Sequence, residues 1–349
     1  MSKPQNLMNS TKKSHIINYT SLQGKTRLES LVDRIHSANK EINTNSELDD
    51  FLNEWNNITP LPQFSDKVKV LKIRYSKQET KLMDIFRAVL QTKEISLRVY
   101  ILTSIVIDFF PTNYMAWVKR RECIDKVKEI DPQSELNWLD ELMVPNQKNY
   151  QIWHHRKLLI EKLNDSSHEK RVLDDVFQSE PKNFHAWTHR IWMIRRFNNI
   201  EGEFDFIDKM LEQDIKNNSV WNYRFFLVQF VNGNKLDKEI IEKEIKYAIE
   251  KIKKNNINEC PYCYIRGYIN KFKYKFNDFP FIKEELEKII EKKENENNSF
   301  CLMLLLDFYE EEKKEKEFKE TIEKLTKIDY IRKKYYSWRL KNFINKNKE

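Results

Sequence analysis

Asn149-Tyr-Gln-Ile-Trp-His-His-Arg156 is the stretch that decides how this chain folds. Its skeleton is asparagine, an aromatic, two residues, tryptophan, two residues, arginine. The skeleton recurs. Tryptophans stand at 117, 153, 187 and 221, spaced by 36, 34 and 34 residues, and Tyr262 follows 41 later. Four residues before each stands an asparagine: Asn113, Asn149, Asn183, Asn217 and Asn258. Three after each tryptophan stands Arg120, Arg156, Arg190 or Arg224, while the Tyr262 unit has Ile265 there and Arg266 next. A period of this length marks a repeat array.

The pattern has a physical reading. Asparagine accepts hydrogen bonds from the free amides of a first helical turn, so each Asn is expected to start a helix. Trp and Arg three apart share a helix face, where the guanidinium can stack on an indole or reach an acid of a neighbouring helix. A second helix is expected between these. Met143, Leu142, Leu139 and Trp138 before Asn149 match Phe177, Val176, Leu173 and Val172 before Asn183. They match Leu211, Met210, Ile207 and Phe206 before Asn217 as well. One apolar face in register three times predicts helix hairpins of about 34 residues that stack to bury what one hairpin leaves exposed.

Composition agrees. With 4 Gly and 9 Pro in 349 residues, turns are few, which argues against sandwiches and Rossmann folds. The net charge of +8, from 62 basic and 54 acidic residues, describes a mixed surface with a basic bias. No apolar run approaches the roughly 18 residues of a membrane span. Four cysteines do not make a disulfide framework, so a reducing cytoplasm is expected.

Along the chain, residues 1–52 read as a mobile polar tail with a helix near 28–35, and residues 53–349 as the helical-repeat domain. Pro60 and Pro62 mark an extended lead-in. Leu82, Ile85, Phe86 and Val89 predict one helix, and Leu97, Ile101, Leu102 and Ile105 a second over about 95–108. Ile241, Ile245, Ala248, Ile249 and Ile252 predict the helix before Tyr262. Residues 297–310 and 317–328 read as a further pair, and 330–343 as a terminal helix.

No self-contained active site emerges from the residues themselves. Cys260-Pro-Tyr-Cys263 matches a dithiol motif but lies in helical surroundings and in repeat register. His185 and His189 are four apart, without a glutamate after His185 or a third ligand in place, so no metal site is assigned. Lys148, Lys182 and Lys216 each precede a repeat asparagine, along the rim where hairpin turns gather. Composition and spacing favour reading them as solvated turn residues over an anion-facing rim.

At these motifs the chain resembles the alpha subunits of protein prenyltransferases, most closely those shared by farnesyltransferase and geranylgeranyltransferase type I. Their repeat is Asn-Tyr-x-x-Trp-x-x-Arg. Lys148-Asn-Tyr-Gln-Ile-Trp-His-His-Arg156 and Asn217-Asn-Ser-Val-Trp-Asn-Tyr-Arg224 are close to it. The segment from Glu54 to Gln63, Phe86-Arg-Ala-Val-Leu90, Glu94-Ile-Ser-Leu-Arg98 and Asp329-Tyr-Ile-Arg-Lys-Lys-Tyr335 resemble its flanking motifs. Phe184 stands where the family often has Tyr, Tyr262 replaces a fifth Trp, and Cys260-Pro261 replace small residues.

The resemblance implies an all-α, right-handed superhelical crescent, a solenoid of antiparallel tetratricopeptide-like hairpins wrapped around a beta subunit. It implies transfer of a farnesyl or geranylgeranyl group from its diphosphate to the cysteine of a C-terminal Cys-a-a-X motif, as in small GTPases. No cofactor is expected on this chain. Zinc is expected on the beta subunit, magnesium is allowed with the diphosphate, and neither nucleic acid nor a membrane span is implied. Residue by residue, Lys148 matches the diphosphate-contacting lysine and Tyr150 its neighbour on the rim. Gln151 matches the glutamine that binds the substrate's C-terminal carboxylate. Asn183 and His185 match residues near the diphosphate and substrate channel, and Tyr114 a rim tyrosine. A Rab geranylgeranyltransferase alpha subunit and a noncatalytic helical-repeat scaffold are the alternatives. The pattern Asn258-Glu259-x-x-Tyr262-x-Tyr264-x-x-Gly267 favours the type shared with farnesyltransferase.

Overall fold

Each repeat asparagine starts a helix. In the computed structural model, which describes residues 51–53, 55–63 and 75–347, Asn113 accepts from the amide of Ala116 and Asn149 from that of Gln151. Asn217 accepts from Ser219 and Asn258 from Cys260, while Asn183 accepts from both His185 and Ala186. Pro261 lies in the first turn of its helix, where a missing amide costs nothing.

The helices are α1 (Lys77–Thr92), α2 (Leu97–Phe109), α3 (Tyr114–Lys126), α4 (Pro132–Met143), α5 (Tyr150–Leu163), α6 (Glu169–Ser179), α7 (Phe184–Phe197) and α8 (Glu203–Gln213). They continue as α9 (Asn218–Val231), α10 (Lys238–Lys254), α11 (Glu259–Lys271), α12 (Pro280–Ile290), α13 (Ser299–Glu311), α14 (Glu315–Ile328) and α15 (Lys333–Lys346). No strand occurs among the described residues. The fold is all-α, and α2 packs on α3, α4 on α5, α8 on α9, α10 on α11 and α13 on α14. The chain forms two compact units, Met1–Arg190 and Ile191–Glu349.

The faces read from the periodicity are the buried ones. In α4, α6 and α8 the residues Leu139, Met143, Leu173, Phe177, Ile207 and Leu211 are all buried. The lead-in is pinned to α1: the amide of Leu61 donates to Asp84 O, and Arg87 Nε donates to Leu61 O, both at 2.9 Å. Phe51 and Leu52, which the sequence reading gives to the tail, are buried. The rest of that tail, with the expected helix near 28–35, lies outside the described residues.

Three elements differ from expectation. α12 is not predicted, because its buried Ile282 and Leu286 are interrupted by Lys and Glu. The cap of α13 is Asn298, one residue later than read, and it accepts from Phe300 and Cys301. The terminal helix starts at Lys333 after a short turn over Tyr330–Arg332. There Phe343 stacks on Phe318 with ring centroids 4.1 Å apart.

A shared carbonyl joins neighbouring repeats. Pro111 O accepts the Trp117 indole N–H (2.8 Å) and the Asn149 side-chain amide of the next repeat (2.8 Å). Gln147 O accepts from Trp153 and Asn183, and Ile215 O from Trp221 and Asn258. Asn256 O accepts from the Tyr262 hydroxyl (2.9 Å) and from Asn298 (2.6 Å). Tyr262 thus donates where the tryptophan it replaces would. The two ends of each asparagine amide do different work: the oxygen caps its own helix and the NH2 bonds the turn before it.

The repeat arginines reach acids, and Arg120 also stacks on the Trp138 indole. Arg120 grips Glu135 through Nε (2.5 Å) and Nη2 (2.7 Å), and its Nη1 donates to Ser104 Oγ (2.7 Å). Arg156 grips Glu169 and reaches Asp140 (2.5 Å), and Arg224 grips Glu244. The next repeat completes each group: His155 meets Glu135 (2.7 Å), His189 meets Glu169 (2.6 Å), and the Tyr264 hydroxyl donates to Glu244 (2.7 Å).

These groups give the fold an acid limit. Burial drives the pKa of His155 and His189 down against the pull of their glutamates. Burial alone would raise the glutamates. Arg120 and His155 nevertheless hold Glu135 at about 2, and His189 and Arg156 hold Glu169 at about 2. Both histidines are therefore neutral, and both glutamates ionised, at pH 7. The histidine pKa values are depressed in the fold. Unfolding therefore takes up protons below the ordinary value of about 6.5, and stability falls as pH drops through it. The depressed glutamates act in the same direction. Their contribution is present above the ordinary value of 4.5 and lost as pH falls towards 2. Melting temperature should fall in two stages on acidification, the first beginning near pH 6.5 (about the unperturbed histidine value). His155→Gln should reduce that first stage; an unchanged first stage would assign it to other groups.

Candidate functional site at the hairpin-turn rim

The expected site residues sit at helix starts in the first compact unit. Lys148 and Asn149 end the turn before α5, and Tyr150 and Gln151 open that helix. Asn183 and His185 occupy the same places at α7, and Tyr114 opens α3. Each asparagine turns the chain sharply into its helix, so the residue that follows it faces outward. Tyr114, Tyr150 and Phe184 are accordingly exposed, at 59%, 69% and 67%.

The structure brings most of them together. Lys148 Nζ lies 2.7 Å from Glu180 Oε1, across from one turn to the next. The other oxygen of Glu180 accepts from Asn183 Nδ2 at 3.2 Å. The Tyr150 ring meets His185 edge-on with centroids 4.3 Å apart. The His185 ring lies nearly parallel to Trp153, at 11°. Partial burial lowers the pKa of His185, and the charge of Glu180 opposes that shift. His185 is thus a neutral imidazole at pH 7, able to donate one hydrogen bond and accept another.

Gln151 has a buried carboxamide oxygen with no donor among the described residues. Its NH2 is the end with hydrogen bonds to give. Asn183 is buried and its amide is engaged at both ends, so its part in the rim is to hold the turn. Tyr114 stands apart, nearer Arg121. An open hollow lies between the turns, lined by Thr112, Asn146, Gln147, Lys148 and Glu180. Its one cation, Lys148, is paired with its one acid, Glu180.

Three segments of the chain, 132–163, 166–197 and 200–231, match the protein prenyltransferase alpha subunit repeat. The chain thus carries three protein prenyltransferase alpha subunit repeats. It is 38% identical over 108 residues to protein farnesyltransferase/geranylgeranyltransferase type-1 subunit alpha of Schizosaccharomyces pombe. That stretch is 31% of this chain and 36% of the relative. It is 27% identical over 110 residues to the subunit of the same name from Candida albicans, covering 32% and 36%. The chain therefore spans about a third of the length of these curated relatives. The structure is similar to a chain of Candida albicans protein geranylgeranyltransferase-I complexed with GGPP. The TM-score is 0.75 at 27% identity, covering 82% of this chain and 98% of that one.

Within these prenyltransferase alpha repeats, sequence reasoning missed Glu180 and the buried acids Glu135, Glu169 and Glu244. A signal for the acids exists: each stands 18 residues before the next repeat's Trp153, Trp187 or Tyr262. The dithiol motif is absorbed by the repeat. Cys260 and Cys263 are free, and Cys260 donates to Lys216 O. Burial pushes both thiols up, which makes them poor nucleophiles. Among the described residues no group of His, Cys, Asp and Glu gathers to hold a metal, and no helix is long and apolar enough to cross a membrane.

Proposed function

We propose that this chain is the alpha subunit of a heterodimeric protein farnesyltransferase/geranylgeranyltransferase type I. The observation that carries the reading is the meeting of Lys148, Glu180, Tyr150 and His185 on one rim of a prenyltransferase alpha fold. The partner is a beta subunit, and the substrates are an isoprenoid diphosphate and a protein ending in Cys-a-a-X. The setting is the cytoplasm, which suits four free thiols.

In the reaction the substrate cysteine sulfur attacks the first carbon of the isoprenoid. A carbon–sulfur bond forms, the carbon–oxygen bond breaks, and diphosphate leaves with the electron pair. The thiolate form of that sulfur would come from zinc held by the beta subunit, which lowers a bound thiol's pKa. This chain contributes the rim. The Lys148 ammonium offers charge to the departing diphosphate. The Tyr150 hydroxyl and the neutral His185 N–H can donate to its oxygens. The Gln151 NH2 can donate to the C-terminal carboxylate of the protein substrate.

Co-expression with a candidate beta subunit tests this. A stable complex that prenylates a Cys-a-a-X peptide, and spares the same peptide with Ser for Cys, is the expected result. A chain that neither binds such a subunit nor supports transfer is instead a noncatalytic scaffold.

A further inference from the structure

We propose that Glu180 is a built-in competitor for Lys148: a carboxylate that holds the lysine ammonium at the rim until a diphosphate displaces it. The inference rests on the reading of Lys148 given above.

Glu180 is fixed in place. It ends α6, where its amide donates to Val176 O (2.8 Å) and its carbonyl accepts from Asn183 N (3.0 Å). Its side chain makes two further contacts, one with each oxygen: Lys148 Nζ at 2.7 Å and Asn183 Nδ2 at 3.2 Å. Lys148 has no such anchorage. Its side chain is 76% exposed against 33% for Glu180. A rigid acid therefore faces a flexible cation across the gap between two repeats.

Such a pair is strong enough to set the resting position of the lysine and weak enough to be broken. An exposed ion pair of this kind shifts an equilibrium by about two- to fivefold. A diphosphate carries several negative charges and outbids a single carboxylate for the same ammonium. Glu180 then remains beside the anion as a like charge, so its net effect on diphosphate affinity is unfavourable. The same charge reaches His185, where it opposes the effect of burial. The arrangement is not general to the repeats. The place three before Asn217, which corresponds to Glu180 for Lys182, holds the acid Asp214, whereas the place three before Asn258, which corresponds to it for Lys216, holds the uncharged Asn255.

A purely structural role through Asn183 is the competing explanation, and Glu180→Gln separates the two. The glutamine keeps an acceptor for Asn183 Nδ2 and removes only the charge. The measurement is inhibition of the alpha–beta complex by inorganic pyrophosphate. Four forms are compared: wild type, Glu180→Gln, Lys148→Ala and the double variant. Glu180→Gln should bind pyrophosphate about two- to fivefold more tightly, with an unchanged melting temperature. That gain should shrink in the Lys148→Ala background to the part that like-charge repulsion alone supplies. An unchanged affinity in Glu180→Gln, or an equal gain with and without Lys148, would overturn the inference while leaving the role of Lys148 standing. Pyrophosphate affinity unaffected by Lys148→Ala would remove the reading of Lys148 itself, and the inference with it.

Discussion

Replacing Glu135 with alanine is expected to lower the stability of the chain by about 3–5 kcal/mol, the usual cost of stranding a buried charge. Glu135 is fully buried. It receives two bonds from Arg120, one from His155 and one from the Tyr100 hydroxyl. The Arg120 guanidinium is itself fully buried, between the rings of Trp138 and Tyr100 at 3.9 and 4.0 Å. Without Glu135 it keeps neutral acceptors such as Ser104 and Thr103, which do not balance its charge. Glu169→Ala provides the internal control. Arg156 retains a second acid, Asp140, at 2.5 Å, so the loss there should be smaller. Denaturant midpoints of the two variants decide the matter. A Glu135 variant no less stable than the Glu169 variant would mean that the charge balance of Arg120 is not what Glu135 supplies.

In the proposed alpha–beta complex, Lys148→Ala is expected to slow prenyl transfer about 100- to 1,000-fold, the scale of losing one contact to a developing anion. Assembly and melting temperature should hold, because Lys148 is exposed and its pair with Glu180 lies at the surface. Lys182→Ala and Lys216→Ala should each change transfer by less than about threefold, the range of a surface charge. Single-turnover rates with saturating isoprenoid diphosphate provide the test. Three equal losses would mean that the summed charge of the lysine row, and not the one position, acts on the diphosphate.

The frame of the repeats was legible because its parts are local. A capping asparagine and the tryptophan four residues on act within one helix, so their spacing survives in the sequence. The buried acids were not read, because each is measured from a partner across the hairpin. Glu135 lies 15 residues from Arg120, Glu169 13 from Arg156 and Glu244 20 from Arg224. The variable loop hides the relation. α12 was missed because charged residues dilute its short apolar face.

The rim divided in the same way. The in-register lysines could be seen but not ranked, and only the family resemblance singled out Lys148. Its pairing with Glu180 and the approach of Tyr150 to His185 come from one repeat packing on the next. No spacing within a repeat encodes either. Tyr114 resembles Tyr150 in sequence yet stays apart from that cluster.

The shared carbonyls carry one more implication, for how such a chain can change length. The asparagine that reaches back to the previous turn does so over 38, 36, 43 and 42 residues at Asn149, Asn183, Asn258 and Asn298. The bond itself stays between 2.6 and 3.2 Å. A few residues inserted into the second helix of a hairpin or its exit loop therefore leave the junction intact. A residue inserted between an asparagine and its tryptophan would pull the indole N–H off the carbonyl it shares with the next repeat's asparagine. Insertions and deletions should accumulate in the first place and be absent from the second. The unit of this array is then a bond with slack chain on one side, which is how it can hold register while its period drifts.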